Sequence, residues 1–183
     1  MLSVNNLSIH FGGRYLFDNV SFSINPTDRI GLIGRNGTGK STLLKIIAEL
    51  ENPEDGRISK PNDFTIGYLP QEGIVNTDKN LWDEAALALA ELKVLENQIK
   101  ELTDEIASRK DYNSKEFTGL IQKLSEYNER YNLLGGHTIE ANIEKILIGL
   151  GFERNDFYRL VGEFSGGWQM RLELAKILLS RPN

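Results

Sequence analysis

The run Arg29-Ile30-Gly31-Leu32-Ile33-Gly34-Arg35-Asn36-Gly37-Thr38-Gly39-Lys40-Ser41-Thr42-Leu43-Leu44 decides how the rest of this 183-residue chain is read. It opens with an apolar stretch over 29–33, of the kind that forms a strand buried on both faces of a sheet. A glycine-rich loop follows at once, and then Leu43, Leu44, Ile46 and Ile47 fall at helical spacing. The order strand, glycine loop, helix is the context in which Gly-x-x-x-x-Gly-Lys-Ser/Thr carries meaning, and Gly34, Gly39, Lys40 and Ser41 meet that pattern in full. Glycines there let backbone N–H groups turn inward around an anion where a side chain would clash. The helix that follows points the positive end of its dipole at the same place. Gly34, Arg35, Asn36, Gly37, Thr38, Gly39, Lys40, Ser41 and Thr42 are therefore the candidate phosphate cradle. Lys40 is expected as a point charge toward β- and γ-phosphates and the Ser41 hydroxyl as a Mg²⁺ ligand.

Upstream, Leu7-Ser8-Ile9-His10-Phe11 and Val20-Ser21-Phe22-Ser23-Ile24 alternate apolar and polar residues, with a turn at Gly12-Gly13. Downstream, Asn52-Pro53-Glu54-Asp55-Gly56 breaks the helix. Two short strands are predicted at 57–59 and 65–69, leading into Pro70-Gln71-Glu72. From Leu81 the period changes. Ala85, Leu89, Leu92, Leu95, Ile99, Leu102 and Ile106 step by three and four, and Phe117, Leu120, Leu124, Tyr127, Tyr131 and Leu134 form a second seam. The polar run 109–114 between them predicts an antiparallel helical hairpin, whose first helix would be roughly 40 Å long at ~1.5 Å per residue. After Gly135-Gly136, a short helix presents Ile139, Ile143, Ile146, Leu147 and Leu150. A last helix begins at Ser165-Gly166-Gly167 and carries Leu172, Leu174, Ala175, Ile177 and Leu178.

Hydrophobic residues make up 40% and charged residues 26%, the profile of an ordinary globular chain. The formal net charge of −5 offers no broad nucleic-acid surface, so contact with nucleic acid would need a local patch. Cysteine is absent, which removes disulfides and thiolate metal sites and fits a cytoplasmic protein. No run of eighteen apolar residues predicts a membrane span, and the N-terminus lacks the pattern of a secretory signal.

Ser165-Gly166-Gly167 before a helix would alone be a plain cap. Following a P-loop, with Gln71 in a loop between them, it makes the chain resemble the ABC ATPase family across nearly everything outside the hairpin. The resemblance implies an α/β fold: a P-loop ABC-type ATPase core with a mixed sheet, antiparallel strands at its N-terminus, and an inserted α-helical hairpin arm. It implies ATP with Mg²⁺ as ligands. Ser165, Gly166 and Gly167 would clamp the γ-phosphate of ATP held by a second, head-to-tail ATPase domain. Gln71 would touch Mg²⁺ and the attacking water, which makes Lys40 and Gln71 the catalytic candidates and Ser41 and Gln71 the metal candidates. Phe11 would stack on adenine, with Tyr15 its competitor for that role. The Asp-Glu strand of the family is expected beyond residue 183. This piece is accordingly expected to bind nucleotide weakly and hardly to hydrolyse it.

The run Ser-Gly-Gly-Trp-Gln-Met-Arg-Leu-Glu-Leu-Ala, followed by Leu-Leu-Ser-Arg-Pro-Asn, resembles the ABC-F translation factors, which carry two ATPase domains on one soluble chain. They hold an α-helical arm after the glutamine loop of the first domain, the slot that 81–134 fills. The implied organisation is an ATPase core over 1–78 and 135–183 with an arm over 79–134. The implied partners are a second ATPase domain and the ribosome. The implied activity is ATP hydrolysis coupled to ribosome binding in translation or antibiotic resistance. The arm carries eight Lys/Arg against eleven Asp/Glu between Lys79 and Gly135. Only its tip, with Arg109, Lys110 and Lys115, offers a basic patch. The rivals are the ATPase subunit of a membrane transporter, a DNA-repair or chromosome-structuring ATPase, and a scaffold that binds ATP only to dimerise.

Overall fold

The computed structural model describes residues 1–71 and 77–183, with Phe11 and Arg14 described by their backbone alone. The chain divides into two compact units, Met1–Pro70 with Arg181–Asn183, and Gln71–Ser180.

The first unit is a three-stranded antiparallel sheet in the order β2-β1-β3, formed by β1 (Leu2–Phe11), β2 (Arg14–Ile24) and β3 (Asp55–Ser59). Gly12 and Gly13 join β1 to β2 with φ of 59° and 80°, the doubly left-handed turn that matches strand twist. β1 and β2 are each longer than the alternation suggested, because each changes parity midway. Leu2 and Val4 face the core, and so do Leu7 and Ile9; Phe17 does, and so do Val20, Phe22 and Ile24. Asn6 and Asn19, both at φ 52°, absorb the extra residue. They bond to each other at 2.7 Å, while Ser21 and Ser8 accept their backbone N–H groups.

Helix α1 (Lys40–Ile47) lays Leu43 and Ile46 on this sheet. It stops before the predicted break at 52–56. Glu49 turns left-handed at φ 60°, with Leu50 N–H donating to the Lys45 carbonyl and Glu49 N–H to that of Ile46, a Schellman ending. Two predicted strands are not formed. Residues 29–33 are irregular, with Ile30 62% and Ile33 93% exposed. A run that is apolar on both faces needs paired edges and two covers. Among the described residues no strand pairs with it. Residues 65–69 are irregular as well; Thr65 exchanges hydrogen bonds with Asn183 in place of a ladder.

The second unit is helical. Helix α2 (Leu81–Ala86), capped by Asn80, runs through a 3₁₀ turn at Leu87–Leu89 into α3 (Ala90–Ser108). The predicted single helix is thus broken, and α3 alone spans ~28 Å at ~1.5 Å per residue. Leu81 and Ala85 of α2 join Ile143 and Leu147 of α5 (Ile139–Gly149) and Leu172, Ala175 and Leu179 of α6 (Gly166–Ser180) in one core. Phe152, Phe157, Val161 and Phe164 close it from the connecting turns. Helix α4 (Lys115–Leu133) returns along α3, where Leu92, Leu95 and Leu102 are buried. Arg130 pairs with Glu91 between the two helices.

Buried Glu84 of α2 accepts from Lys176 of α6 at 3.0 Å, and Glu173 shares the same ammonium at 2.9 Å. Burial pulls the Lys176 amine down, but hydrogen bonds and charge from Glu173 and Glu84 outweigh it, and the net shift is upward from 10.5. Stabilisation from a raised amine is complete below pH 10.5 and is lost as pH rises through the folded value. Lys176→Met leaves Glu84 without its counter-charge and is expected to lower unfolding free energy by about 1–3 kcal/mol, less than for a fully enclosed pair because the lysine keeps some solvent. Urea titration at neutral pH measures the loss. The gap from the unsubstituted chain should narrow above pH 10.5, and a gap that widens there would count against this pair.

Candidate functional site

The loop over 34–38 is exposed, and it tightens into α1 at Gly39 and Lys40. Two glycines supply left-handed backbone, Gly37 at φ 81° and Gly39 at φ 90°. Around Gly37 there is open space, whereas a Cβ on Gly39 would lie 2.7 Å from the Leu16 side chain and 2.8 Å from the Phe17 ring. Gly39 is the N-cap of α1 and brings no side chain to cap it. The first N–H groups of a helix have no acceptor within the helix. Among the described residues no protein oxygen takes those of Lys40, Ser41 and Thr42. The Lys40 ammonium reaches back over the loop and donates to the carbonyls of Gly34 and Arg35, both at 2.8 Å. Thr38 braces the same turn, its hydroxyl donating to the Arg35 carbonyl at 2.8 Å.

A row of undirected N–H donors with one ammonium and the exposed Ser41 hydroxyl suits an anion of several oxygens. Among the described residues no group of three or more His, Asp and Glu side chains could hold a metal ion by itself. A divalent ion would therefore need oxygens from the anion and water, the way Mg²⁺ usually binds beside phosphates. The donor set fits a Mg²⁺–polyphosphate.

The second expected element, Ser165-Gly166-Gly167, lies in the other unit. All three residues are exposed at the start of α6, and the Ser165 carbonyl accepts from Trp168 and Gln169 N–H. The turn is held from behind by residues the motif reading left without a role. Gln169 is buried and donates to the carbonyls of Phe164 at 3.0 Å and Val161 at 3.3 Å. The Arg171 guanidinium covers the Trp168 ring at 4.2 Å and donates to the Leu150 carbonyl. Nothing at sequence level marked these as supports, because each partner is a backbone carbonyl or a ring brought in by the tertiary fold.

Gln71 is exposed at the edge of the second unit, and Glu72 beside it lies outside the described residues. The side chain of Phe11, expected against adenine, also lies outside them. Tyr15, its competitor, packs at a tilt against His10, with 3.7 Å between ring centroids, and His10 in turn pairs with Glu54 at 2.6 Å.

The basic tip of the arm is smaller than the residue types suggested. Arg109 makes a two-point contact with Asp111, at 2.9 and 2.7 Å, and a third bond to Glu116 at 3.0 Å. Hydrogen bonds to Asp111 and Glu116 hold the guanidinium above its ordinary range. Those from Arg109 and Ser114 hold the Asp111 carboxyl well below the usual carboxylate range. The guanidinium is engaged in closing the turn, so that of the three tip cations Lys110 and Lys115 alone have no ion pair among the described residues.

Gly39→Ala is expected to clash with Leu16 and Phe17 while straining a left-handed residue. We expect it to lower stability by about 1–3 kcal/mol and to weaken binding of a fluorescent ATP analogue at least as much as Gly37→Ala, which meets open space. A Gly39→Ala chain with unchanged melting and binding would overturn the role of this contact.

The family model described as ABC transporter matches residues 17–183. The chain is 32% identical over 181 residues to the tylosin resistance ATP-binding protein TlrC of Streptomyces fradiae, covering 99% of this chain and 33% of that protein. It is 31% identical over 185 residues to ABC transporter F family member 5 of Arabidopsis thaliana, covering 100% of this chain and 26% of that protein. The chain thus spans about a quarter to a third of the length of these relatives. Among solved structures, the ATP-binding subunit of an ABC transporter superposes with TM-score 0.64 at 20% identity, over 99% of this chain and 62% of the other. A dimeric post-hydrolysis state of an ATP-binding cassette bound to ADP and Pi gives 0.56 at 20% identity, over 100% and 71%. These likenesses establish the α/β ABC ATPase fold with its antiparallel N-terminal strands. Among the described residues no helix is long and apolar enough to cross a membrane. With its P-loop opening α1 and a Ser-Gly-Gly turn opening α6, the chain belongs to the ABC transporter family of ATP-binding domains, and within that family its relatives include F family members.

Proposed function

We propose that this chain binds ATP at the loop over 34–42 and belongs to a cytoplasmic ABC-F protein in which hydrolysis is coupled to ribosome binding. The observation that carries the nucleotide reading is the open row of N–H groups at the start of α1 with Lys40 folded across the loop. Gly34, Gly37 and Gly39 keep side chains out of the cradle. Lys40 would exchange its carbonyl partners for β- and γ-phosphate oxygens, and the Ser41 hydroxyl would help to hold Mg²⁺. ATP supplies the phosphoanhydride bond and Mg²⁺ neutralises charge on its oxygens. Ser165, Gly166 and Gly167 offer a second anion cradle for ATP carried by a head-to-tail partner domain, which makes dimerisation of ATPase domains part of the cycle. Phe11 supplies the adenine contact.

The domain boundaries that go with this reading are 1–78 with 135–183 for the ATPase core and 79–134 for the arm. The arm favours the ribosome-associated reading. A paired α3–α4 hairpin of 19 residues in each helix, closed at its tip by Arg109, Asp111 and Glu116, is more than a short helical segment. A second reading, the ATPase subunit of a membrane transporter, is favoured by the transporter subunit among the solved structures of like fold.

In the full-length protein Lys40→Ala is expected to abolish ATP binding and turnover. Turnover at the unsubstituted rate would sink the assignment of the loop. Replacement of the α3–α4 hairpin over 90–133 by a short glycine-serine linker, which spares the core residues Leu81 and Ala85, is expected to weaken ribosome pelleting while leaving the nucleotide bound, and equal pelleting with and without the hairpin counts against its role. The coding sequence after codon 183 separates the two readings. A charged linker and a second P-loop support the ABC-F protein, while membrane spans or closure after one domain support the transporter subunit.

A further inference from the structure

At the base of the arm, where α2, the 3₁₀ turn, α3 and the start of α5 meet, lies a cleft of about 640 Å³. That volume is within the ~300–1,000 Å³ typical of ligand sites. Its wall is mostly apolar. Trp82 lines it beside Leu87 and Val94, which are 44% and 55% exposed, so the patch is open to solvent rather than covered by its own chain. Ile143 closes the floor.

The charges around this wall are unequal. Asp83, Glu96 and Glu140 face it with Lys93, and His137 stands at the side. Lys93 is engaged by Glu96 at 3.5 Å. Among the described residues the Asp83 carboxylate accepts from the Asn80 side-chain amide and has no cationic partner, and Glu140 has none either. Two carboxylates thus remain uncompensated on either side of an exposed apolar strip. An RNA phosphate would meet those carboxylates with the lysine already spent, whereas a cationic side chain would complete them.

We propose that this cleft is a docking site for a basic segment of a protein partner, in which an arginine lies next to an apolar side chain. Arginine suits it better than lysine, because a planar guanidinium stacks on an indole such as Trp82 while pairing with a carboxylate at its edge. The neighbouring apolar side chain enters between Leu87 and Val94. This surface is separate from the phosphate cradle, and its partner need not be the ribosome.

The test is fluorescence anisotropy of a labelled short peptide alternating arginine and leucine, titrated with the whole 183-residue chain. Saturable binding is expected, with a matching glutamate–leucine peptide and a uridine oligonucleotide of equal length both failing to bind. Glu140→Gln should weaken the peptide about two- to fivefold, the size of one partly exposed ion pair. Lys93→Glu should tighten it by a similar factor, a gain that misfolding cannot produce. Peptide affinity unmoved by both substitutions overturns the site. Tighter binding of the oligonucleotide overturns the nature of the partner, and absence of saturable peptide binding overturns both.

Discussion

Gly39 is the constraint on which the first unit turns. The residue is left-handed, it has no room for a Cβ against Leu16 and Phe17, and it is the last residue before α1 begins. Because the β1–β2 hairpin presses on it from one side, the loop must open to the other, toward solvent. Because it caps the helix without a side chain, the first N–H groups of α1 are left to an outside acceptor. The paired irregularities at Asn6 and Asn19 serve the same arrangement. Without them the apolar residues beyond each would face away from α1, and Phe17 would not share a face with Val20, Phe22 and Ile24.

The second unit meets a related problem by other means. A turn made of Ser165, Gly166 and Gly167 has almost no side chain with which to fix itself, so it is held from the helix that follows. Gln169 binds the two carbonyls behind it, Arg171 clamps Trp168, and Lys176 ties α6 to α2 through Glu84. A glycine-rich turn is open in front because its rigidity is supplied from the back. In the arm, the cation that composition would assign to an RNA contact is spent on closing a turn, while the carboxylates left without a cation lie at its base.

The fold class, the P-loop, the hairpin and the two later amphipathic helices were legible because each rests on a local period or a contiguous motif. The buried positions Leu92, Leu95, Leu102, Ile143, Leu147, Leu172 and Ala175 all lie on the faces that periodicity selected. Strand formation at 29–33 and 65–69 was not legible, since a strand is completed by neighbours and not by its own residues. The break at 87–89 was missed for a similar reason. Leu87, Ala88 and Leu89 are good helix formers, while Leu81 and Ala85 of α2 are fixed in the core with α5 and α6 and the backbone tightens into the 3₁₀ turn just after them.

By itself, the amino-acid sequence determined which residues can line an anion site, because Gly, Lys and Ser at that spacing are a chemical requirement that no packing can replace. It also determined the helical seams, because 3.6-residue periodicity is a property of the single helix. Only the tertiary structure decided that Leu16 and Phe17 make Gly39 obligatory, that Arg109 is consumed by Asp111 and Glu116, and that Glu84 has Lys176 as its partner. Those outcomes depend on which groups distant in the chain come within a few ångströms, where close contact and charge pairing act and where local propensity carries no information.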